Sequence, residues 1–203
     1  MIKINCIGDA CPVPVVKTKK GIEALRNPED LIVSVDNTVA CENIRRLVNS
    51  YGYKLSVEKV SESEYTIAIS VDRLPEKKSA ESHEECYIPS AKKKTVVVIS
   101  KDHMGEGDEK LGKTLLKGFI YALSQQESLP STMLFYNSGA FLTTEGSESI
   151  TDLRTLENLG VEILTCGTCL NNYGIQDKLL VGNVTNMYVI TEKLVGADSI
   201  IKP

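Results

Sequence analysis

The sequence predicts an α/β protein of two domains. The first is an α+β sandwich of order βαβαββ, and the second is a doubly wound, mostly parallel sheet with helices on both faces. Three observations predict this. Over residues 1–71, apolar stretches of period two alternate with stretches of helical period. Over residues 72–94 the apolar pattern stops: Lys, Glu and Ser dominate and Pro75 and Pro89 interrupt, as in a charged flexible linker. From Thr95 it resumes as a continuous apolar run of the kind buried on both faces of a parallel sheet, and strands and helices alternate over 95–203.

Residues 2–6 read as a short strand. Pro is tolerated in the first helical turn, where amides have no intrahelical acceptor, so Pro12 and Pro14 mark the start of a helix reaching Leu25, with Val15, Val16, Ile22 and Leu25 on one face. Asn27 to Asp30 is a turn, and Leu31 to Val35 is a β-branched strand. Thr38 is expected to cap a second helix running to Tyr51, with Val39, Ile44, Leu47 and Val48 inward and Gly52 closing it. Lys54 to Val60 and Tyr65 to Val71 alternate as a hairpin. In the second domain, Thr95 to Ile99 is followed by a helix with Leu111, Leu115, Leu116, Phe119, Ile120 and Leu123 at helical spacing. Then come a strand at Thr132 to Tyr136, a helix at Glu148 to Leu159, a strand at Val161 to Thr165, a helix at Asn186 to Leu194 and a strand at Ser199 to Ile201.

The 203 residues are 42% hydrophobic and 25% charged, with net charge −4, which is ordinary for a globular protein with room for two modest cores. The negative charge is concentrated in residues 95–203, where eight basic side chains face thirteen acidic ones. An acidic surface repels phosphate backbones, so nucleic-acid binding is not expected. No run approaches the length of a membrane span and the first residues lack a signal-peptide layout; no membrane association and a cytoplasmic location are the expectation. Six cysteines in that setting point to reactive, metal-binding or buried thiols before a disulfide framework.

The first chemical signal is Gly8-Asp9-Ala10-Cys11-Pro12-Val13-Pro14. The expected helix start places Cys11 at the N-cap, where free amides and the helix dipole favour negative charge, with Lys17, Lys19 and Lys20 nearby. A thiol so placed ionises more readily than a free one, and the thiolate is the nucleophile. Simple burial beside two prolines is the alternative. The segment Asn5 to Pro14 resembles the Cys-Pro-x-Pro signature of the TusA family of small sulfur carriers. That resemblance implies the βαβαββ fold and makes Cys11 the persulfide-bearing position.

The second signal is Cys166-Gly167-Thr168-Cys169, directly after an apolar strand. Chemistry in open α/β sheets gathers beyond the carboxyl ends of strands, and a Cys-x-x-Cys pair permits an internal disulfide or a resolving thiol. Asn137-Ser138-Gly139, after the preceding strand, could line the same cleft or be turn chemistry alone. The arrangement resembles the DsrE-like family of sulfur-transfer proteins, which implies Cys166 as sulfur acceptor and Cys169 as its partner. The succession of the two resembles the YedF group, described as sulfurtransferase-like and linked to selenium metabolism.

Gly107 to Thr114 meets the spacing of a phosphate-binding loop, but Leu111 falls in helical register with Leu115 and Leu116, and Asp108 and Glu109 oppose phosphate. Cys6 and Cys41 read as buried, and Cys86 as an incidental linker thiol. One Cys-x-x-Cys and two distant histidines do not make a zinc site, so neither metal nor cofactor is expected. The reading is a sulfur or selenium carrier, leaning to a sulfurtransferase, which relays persulfide sulfur through Cys11 and Cys166. Cys169 completes the reactive set, and Pro12, Pro14, Lys17, Gly167 and Asn137 support it. Its expected partners are a cysteine desulfurase or other persulfide donor and a downstream sulfur or selenium acceptor protein, with a homo-oligomer expected from the resemblance alone. Two rivals stay open: a thiol–disulfide oxidoreductase using Cys166 and Cys169, and a non-enzymatic sulfur-responsive adaptor.

Overall fold

The computed structural model describes residues 1–74 and 93–203. The chain divides into two compact units, 1–85 and 86–203. The expected linker, 72–94, lies mostly outside the described residues, as does Cys86.

The N-terminal unit runs β1 (Ile2–Asn5), α1 (Val13–Glu23), β2 (Leu31–Val35), α2 (Thr38–Ser50), β3 (Lys54–Ser61) and β4 (Glu64–Ser70), which is the expected βαβαββ order. Its sheet has the order β1-β2-β4-β3, with β1 parallel to β2 and the other pairs antiparallel. Period two decides which side chains meet the helices: Leu31, Val33 and Val35 of β2 and Ile67 and Ile69 of β4 are buried against Ile22, Leu25, Ile44 and Val48. Each such burial contributes about 1.5–3 kcal/mol relative to exposure.

Two details of α2 differ from expectation. Asn37, not Thr38, is the cap, its side-chain oxygen accepting from the Ala40 amide at 2.8 Å. Val39, expected inward, is 63% exposed, because the inward stripe is Ala40, Cys41, Ile44 and Val48.

The C-terminal unit contains β5 (Thr95–Ile99), α3 (Glu109–Ser124), β6 (Thr132–Phe135), a 3-10 helix (Asn137–Thr143), α4 (Ile150–Asn158), β7 (Glu162–Cys166), α5 (Gly167–Asn172), β8 (Asn183–Thr185), α6 (Met187–Val195) and β9 (Ser199–Ile201). Its five strands are all parallel, in the order β8-β7-β6-β5-β9. One face of the sheet packs on Leu116, Ile120, Leu153 and Leu156 of α3 and α4, and the other on Ile190 of α6. The doubly wound fold class therefore holds. The edge strand β8 has no counterpart in the sequence reading: Asn183-Val184-Thr185 is short, two of its three residues are exposed, and no apolar run marks it.

Helix α3 packs four of its six expected apolar residues, Leu116, Phe119, Ile120 and Leu123, on the core. Leu111 and Leu115 are 55% and 47% exposed, while Gly112, Leu116, Ile120 and Ser124 are buried. The loop leaving β5 lies against Gly112, whose carbonyl accepts from the Met104 amide at 3.0 Å, so the smallest residue sets the helix face. Asp108 caps this helix by accepting from the Leu111 amide at 2.7 Å. Glu109 onward is therefore helix, which leaves Gly107 to Thr114 no phosphate-cradling loop.

Gly139 sits directly over the end of β5. A Cβ there would collide with the Ile99 carbonyl oxygen, which is backbone and has little room to move. Gly139→Ala is expected to destabilise the C-terminal unit by about 1–3 kcal/mol through overpacking, read as a lowered melting midpoint. An unchanged midpoint would contradict the close approach.

Candidate functional site

In the N-terminal unit the chain leaves β1 at Cys6 and reaches α1 through Ile7 to Pro12. A backbone leaving a sheet has to find new partners for its amides. The Ile7 amide donates to Asn5 Oδ1 at 3.0 Å, the Gly8 amide to Asp36 Oδ2 at 2.7 Å, and the Asp9 amide to the Cys6 carbonyl at 3.2 Å. Gly8 has φ +82°, a conformation suited to glycine. The Asp36 carboxyl is held below the usual carboxylate range, first by the Gly8 amide and then by the Asn37 side-chain amide.

Cys11 lies at the end of this loop and is exposed. It is not the N-cap. That position is Pro12, whose φ of −98° is outside the helix and whose carbonyl already accepts from Val15 and Val16 at 3.1 and 3.2 Å. Pro14 stands in the first turn, as expected. The Cys11 thiol opens onto a shallow cleft lined by Asp9, Pro14, Val15, Asn37, Ala40 and Asn43, with Val39 at its rim. Asn43 Nδ2 on α2 is 3.9 Å from Cys11 Sγ and donates to it. The Lys17 ammonium contacts Asp9 Oδ2 at 2.6 Å and the Asn5 carbonyl at 3.5 Å.

The other two cysteines of this unit, Cys6 and Cys41, are buried, as the sequence suggests. Burial, reinforced by the negative charge of Asp9 and opposed by Lys17, pushes the Cys6 thiol up to about 11. Burial also raises Cys41. The residues that sequence reasoning missed are Asp36, which stands just before the α2 cap, and Val39 and Asn43, which fall at i and i+4 on one side of α2. That spacing was available in the sequence, but nothing local linked it to Cys11.

In the C-terminal unit, the ends of β5, β6 and β7 gather a second set of groups. Cys166 closes β7 and is 1% exposed, packed with Val96, Val98, Leu134, Leu164 and Ile190. Cys169 is three residues on, in α5, and is half-buried. Gly167 keeps this turn close to β8, because a Cβ there would stand 2.9 Å from Val184 Cγ1.

Asn137, the first residue of the 3-10 helix after β6, takes φ +51°, which is uncommon outside glycine. In that conformation its amide donates to Cys169 Sγ at 3.0 Å, while its side-chain oxygen accepts from the Tyr173 hydroxyl at 2.8 Å. Tyr173 is in turn packed on Phe141, with ring centroids 4.8 Å apart. The Cys169 thiol is raised, chiefly by burial and further by hydrogen bonding to the Cys166 thiol, with the Asn137 amide working in the opposite sense.

Next to this set, Ser138 Oγ accepts from the Asp102 amide at 3.2 Å, and Asp102 Oδ1 lies 2.9 Å from His103 Nδ1. Burial works to raise the Asp102 carboxyl, but His103 and Lys113 outweigh it and hold it low. Among the described residues, no group of three His, Cys, Asp or Glu side chains converges as a metal site. No helix among them is long and apolar enough to cross a membrane.

Residues 2–71 match the family model of sulfurtransferase TusA. A candidate sulfur carrier protein of Methanocaldococcus jannaschii is 44% identical over 69 residues, which are 34% of this chain and 92% of that protein. A candidate sulfur carrier protein of Thermotoga maritima is 37% identical over 65 residues, 32% of this chain and 82% of that one. Among solved structures, the ychN protein of Escherichia coli is 20% identical with a TM-score of 0.41, covering 55% of this chain and 99% of its own. A protein of unknown function from Methanobacterium thermoautotrophicum is 23% identical with a TM-score of 0.41, covering 55% of this chain and 99% of its own.

Two predictions follow from these geometries. Asp36→Asn is expected to lower the melting midpoint at pH 7, where the carboxylate accepts from Gly8. A carboxyl with a depressed folded-state value stabilises above its unfolded value, so the gap from wild type closes as pH falls through and below the ordinary Asp range of about 3.9. A gap independent of pH would show that the Gly8 contact is not what matters. For Cys169, alkylation by iodoacetamide is expected to keep rising with pH beyond the ordinary thiol value of about 8.5. Cys166→Ala is expected to shift that profile downward, since Cys166 contributes to the raised value. A profile already flat at pH 7 would contradict both.

Proposed function

The chain belongs to the TusA sulfurtransferase family through residues 2–71, and on that premise we propose that it is a sulfur carrier holding sulfane sulfur on Cys11. The observation that carries this reading is the sorting of the thiols in the N-terminal unit: Cys6 and Cys41 are buried, whereas Cys11 is exposed at the end of a loop pinned by Asp36. The Cys11 thiolate attacks the outer sulfur of a donor persulfide, and the donor thiolate leaves. The sulfur so gained extends about 2 Å beyond Sγ, where the cleft offers the Asn43 amide as a donor and the apolar edge of Val39. Delivery is the same displacement with Cys11 as the leaving thiolate. The donor is a cysteine desulfurase or another persulfide protein, and the acceptor is a further thiol protein.

The reading extends to a relay in which sulfur passes onward to the Cys166–Cys169 pair. Two sites on one chain meet at an effective concentration in the millimolar range when the connection between them is flexible and long enough. The resemblance of the two domains in succession to the YedF group motivates the same proposal for selenium, which undergoes the same displacement.

The test is intact and peptide mass spectrometry after incubation with a cysteine desulfurase and cysteine, without added reductant. A reducible one-sulfur adduct on the Cys11 peptide is expected, with at least a tenfold loss of loading in Cys11→Ser. Full loading of Cys11→Ser would remove Cys11 from the carrier role. In the relay, the adduct moves with time from the Cys11 peptide to the peptide carrying Cys166 and Cys169.

A further inference from the structure

We propose that the C-terminal unit is a sulfane-sulfur reductase site, in which Cys169 receives sulfur from a persulfide and Cys166 expels it as hydrosulfide. The inference deepens the relay reading and rests on one part of it, namely that sulfur reaches this unit. It reverses the order of the two thiols that the strand-end position suggests, because position along the chain says nothing about access. Cys166 ends β7 with 1% of its surface exposed, walled in by the side chains of β5, β6 and α6. A donor persulfide cannot reach it without displacing that packing. Cys169 is the half-buried member and is the one supplied with a donor from outside its own helix: the Asn137 amide, 3.0 Å from its sulfur.

The donor is fixed rather than incidental. Asn137 holds φ +51°, and the Tyr173 hydroxyl anchors its side chain at 2.8 Å. A backbone amide aimed at a sulfur that gains negative charge stabilises it without reorganisation, the logic of an oxyanion hole applied to a thiolate. Asn137 and Tyr173 are therefore positioning residues. Cys166 is the N-cap of α5 and Cys169 the third residue of that helix, so the two stand at i and i+3 across one turn and the buried thiol is within reach of the sulfur that its neighbour carries.

The chemistry balances as follows. The Cys169 thiolate attacks the outer sulfur of a persulfide R–S–SH; the R–S bond to that sulfur breaks, R–S⁻ leaves and Cys169–S–SH forms. The Cys166 thiolate then attacks the inner sulfur of Cys169. The new bond is the Cys166–Cys169 disulfide, the broken bond is Cys169–S to SH, and HS⁻ departs. The proton lost from Cys166 goes to solvent or to the leaving sulfide. The sulfane sulfur gains two electrons and the two cysteine sulfurs supply one each. A dithiol reductant, of the class that opens exposed disulfides, returns the pair to thiols for the next round.

The experiment uses the full chain, pre-reduced and freed of reductant, with glutathione persulfide as probe. Released hydrosulfide is quantified, and the cysteine peptides are mapped by mass. The wild type is expected to release about one hydrosulfide per chain while gaining a Cys166–Cys169 disulfide, and to turn over when a dithiol is supplied. Cys166→Ala is expected to hold a one-sulfur adduct on Cys169 and to release hydrosulfide at least tenfold more slowly. Cys169→Ala is expected to carry no adduct on Cys166. Matched far-ultraviolet circular dichroism and melting curves show that both variants are folded, and Tyr173→Phe provides a milder variant whose expected effect is slower loading of Cys169 with release from loaded protein unchanged. Loading of Cys166 in Cys169→Ala would overturn the assigned order. Loading of Cys169 without disulfide or hydrosulfide would overturn the reductase step while leaving the acceptor reading intact. Absence of sulfur from both residues would overturn both, and the Cys11 peptide in the same digest reports separately on the carrier reading.

Discussion

A strand that leaves a sheet abandons its ladder, and every amide it releases has to find another acceptor. Both thiol-bearing regions are organised by that requirement. After β1, the released amides of Ile7, Gly8 and Asp9 go to the Asn5 side chain, the Asp36 carboxylate and the Cys6 carbonyl, which closes the loop tightly enough to place Cys11 at the mouth of a cleft. After β6, the released amide of Asn137 goes to a sulfur. The acceptors are as much a part of each site as the thiols, because they fix where the sulfur can be.

Burial then divides the cysteines. Cys6, Cys41 and Cys166 sit with core side chains, and lost solvation raises the Cys6 and Cys41 thiols, while Cys11 and Cys169 keep contact with solvent. Chemistry at a buried thiol needs a partner delivered to it. For Cys166 a second thiol, Cys169, stands three residues away in the chain, whereas the described surroundings of Cys6 offer a carboxylate, Asp9, which works against ionisation.

The fold class was legible in the sequence because period decides it: the alternation of β2 and β4 and the unbroken apolar run of β5 are strong patterns, and their pairing follows from them. The place of Cys11, just ahead of α1, was legible because two prolines leave few places for a helix to start. The phase of the helices was less so. Val39 and Leu111 are apolar and helical but face outward, since the buried stripes run through Ala40, Cys41, Ile44 and Val48 in one case and through Gly112, Leu116 and Ile120 in the other, where the loop after β5 lies against Gly112. The N-cap assignment of Cys11 failed for a related reason: Pro12 keeps a non-helical φ and takes the cap itself. Asn43 and Asp36 were invisible because the contacts that matter reach the loop after β1 from residues 32 and 28 positions away in the chain, and β8 was invisible because an exposed edge strand needs no apolar pattern.

The bond from Asn137 to Cys169 also makes the polypeptide a witness to the state of the sulfur. A neutral thiol, a thiolate, a persulfide and a disulfide differ in the electron density they offer an approaching N–H, and this N–H begins the 3-10 helix that carries Phe141 into contact with Tyr173. Each change at the sulfur is thus registered one strand away, as a changed amide resonance and a changed grip on the turn that frames the cleft. The site carries its own spectroscopic label, written into the backbone.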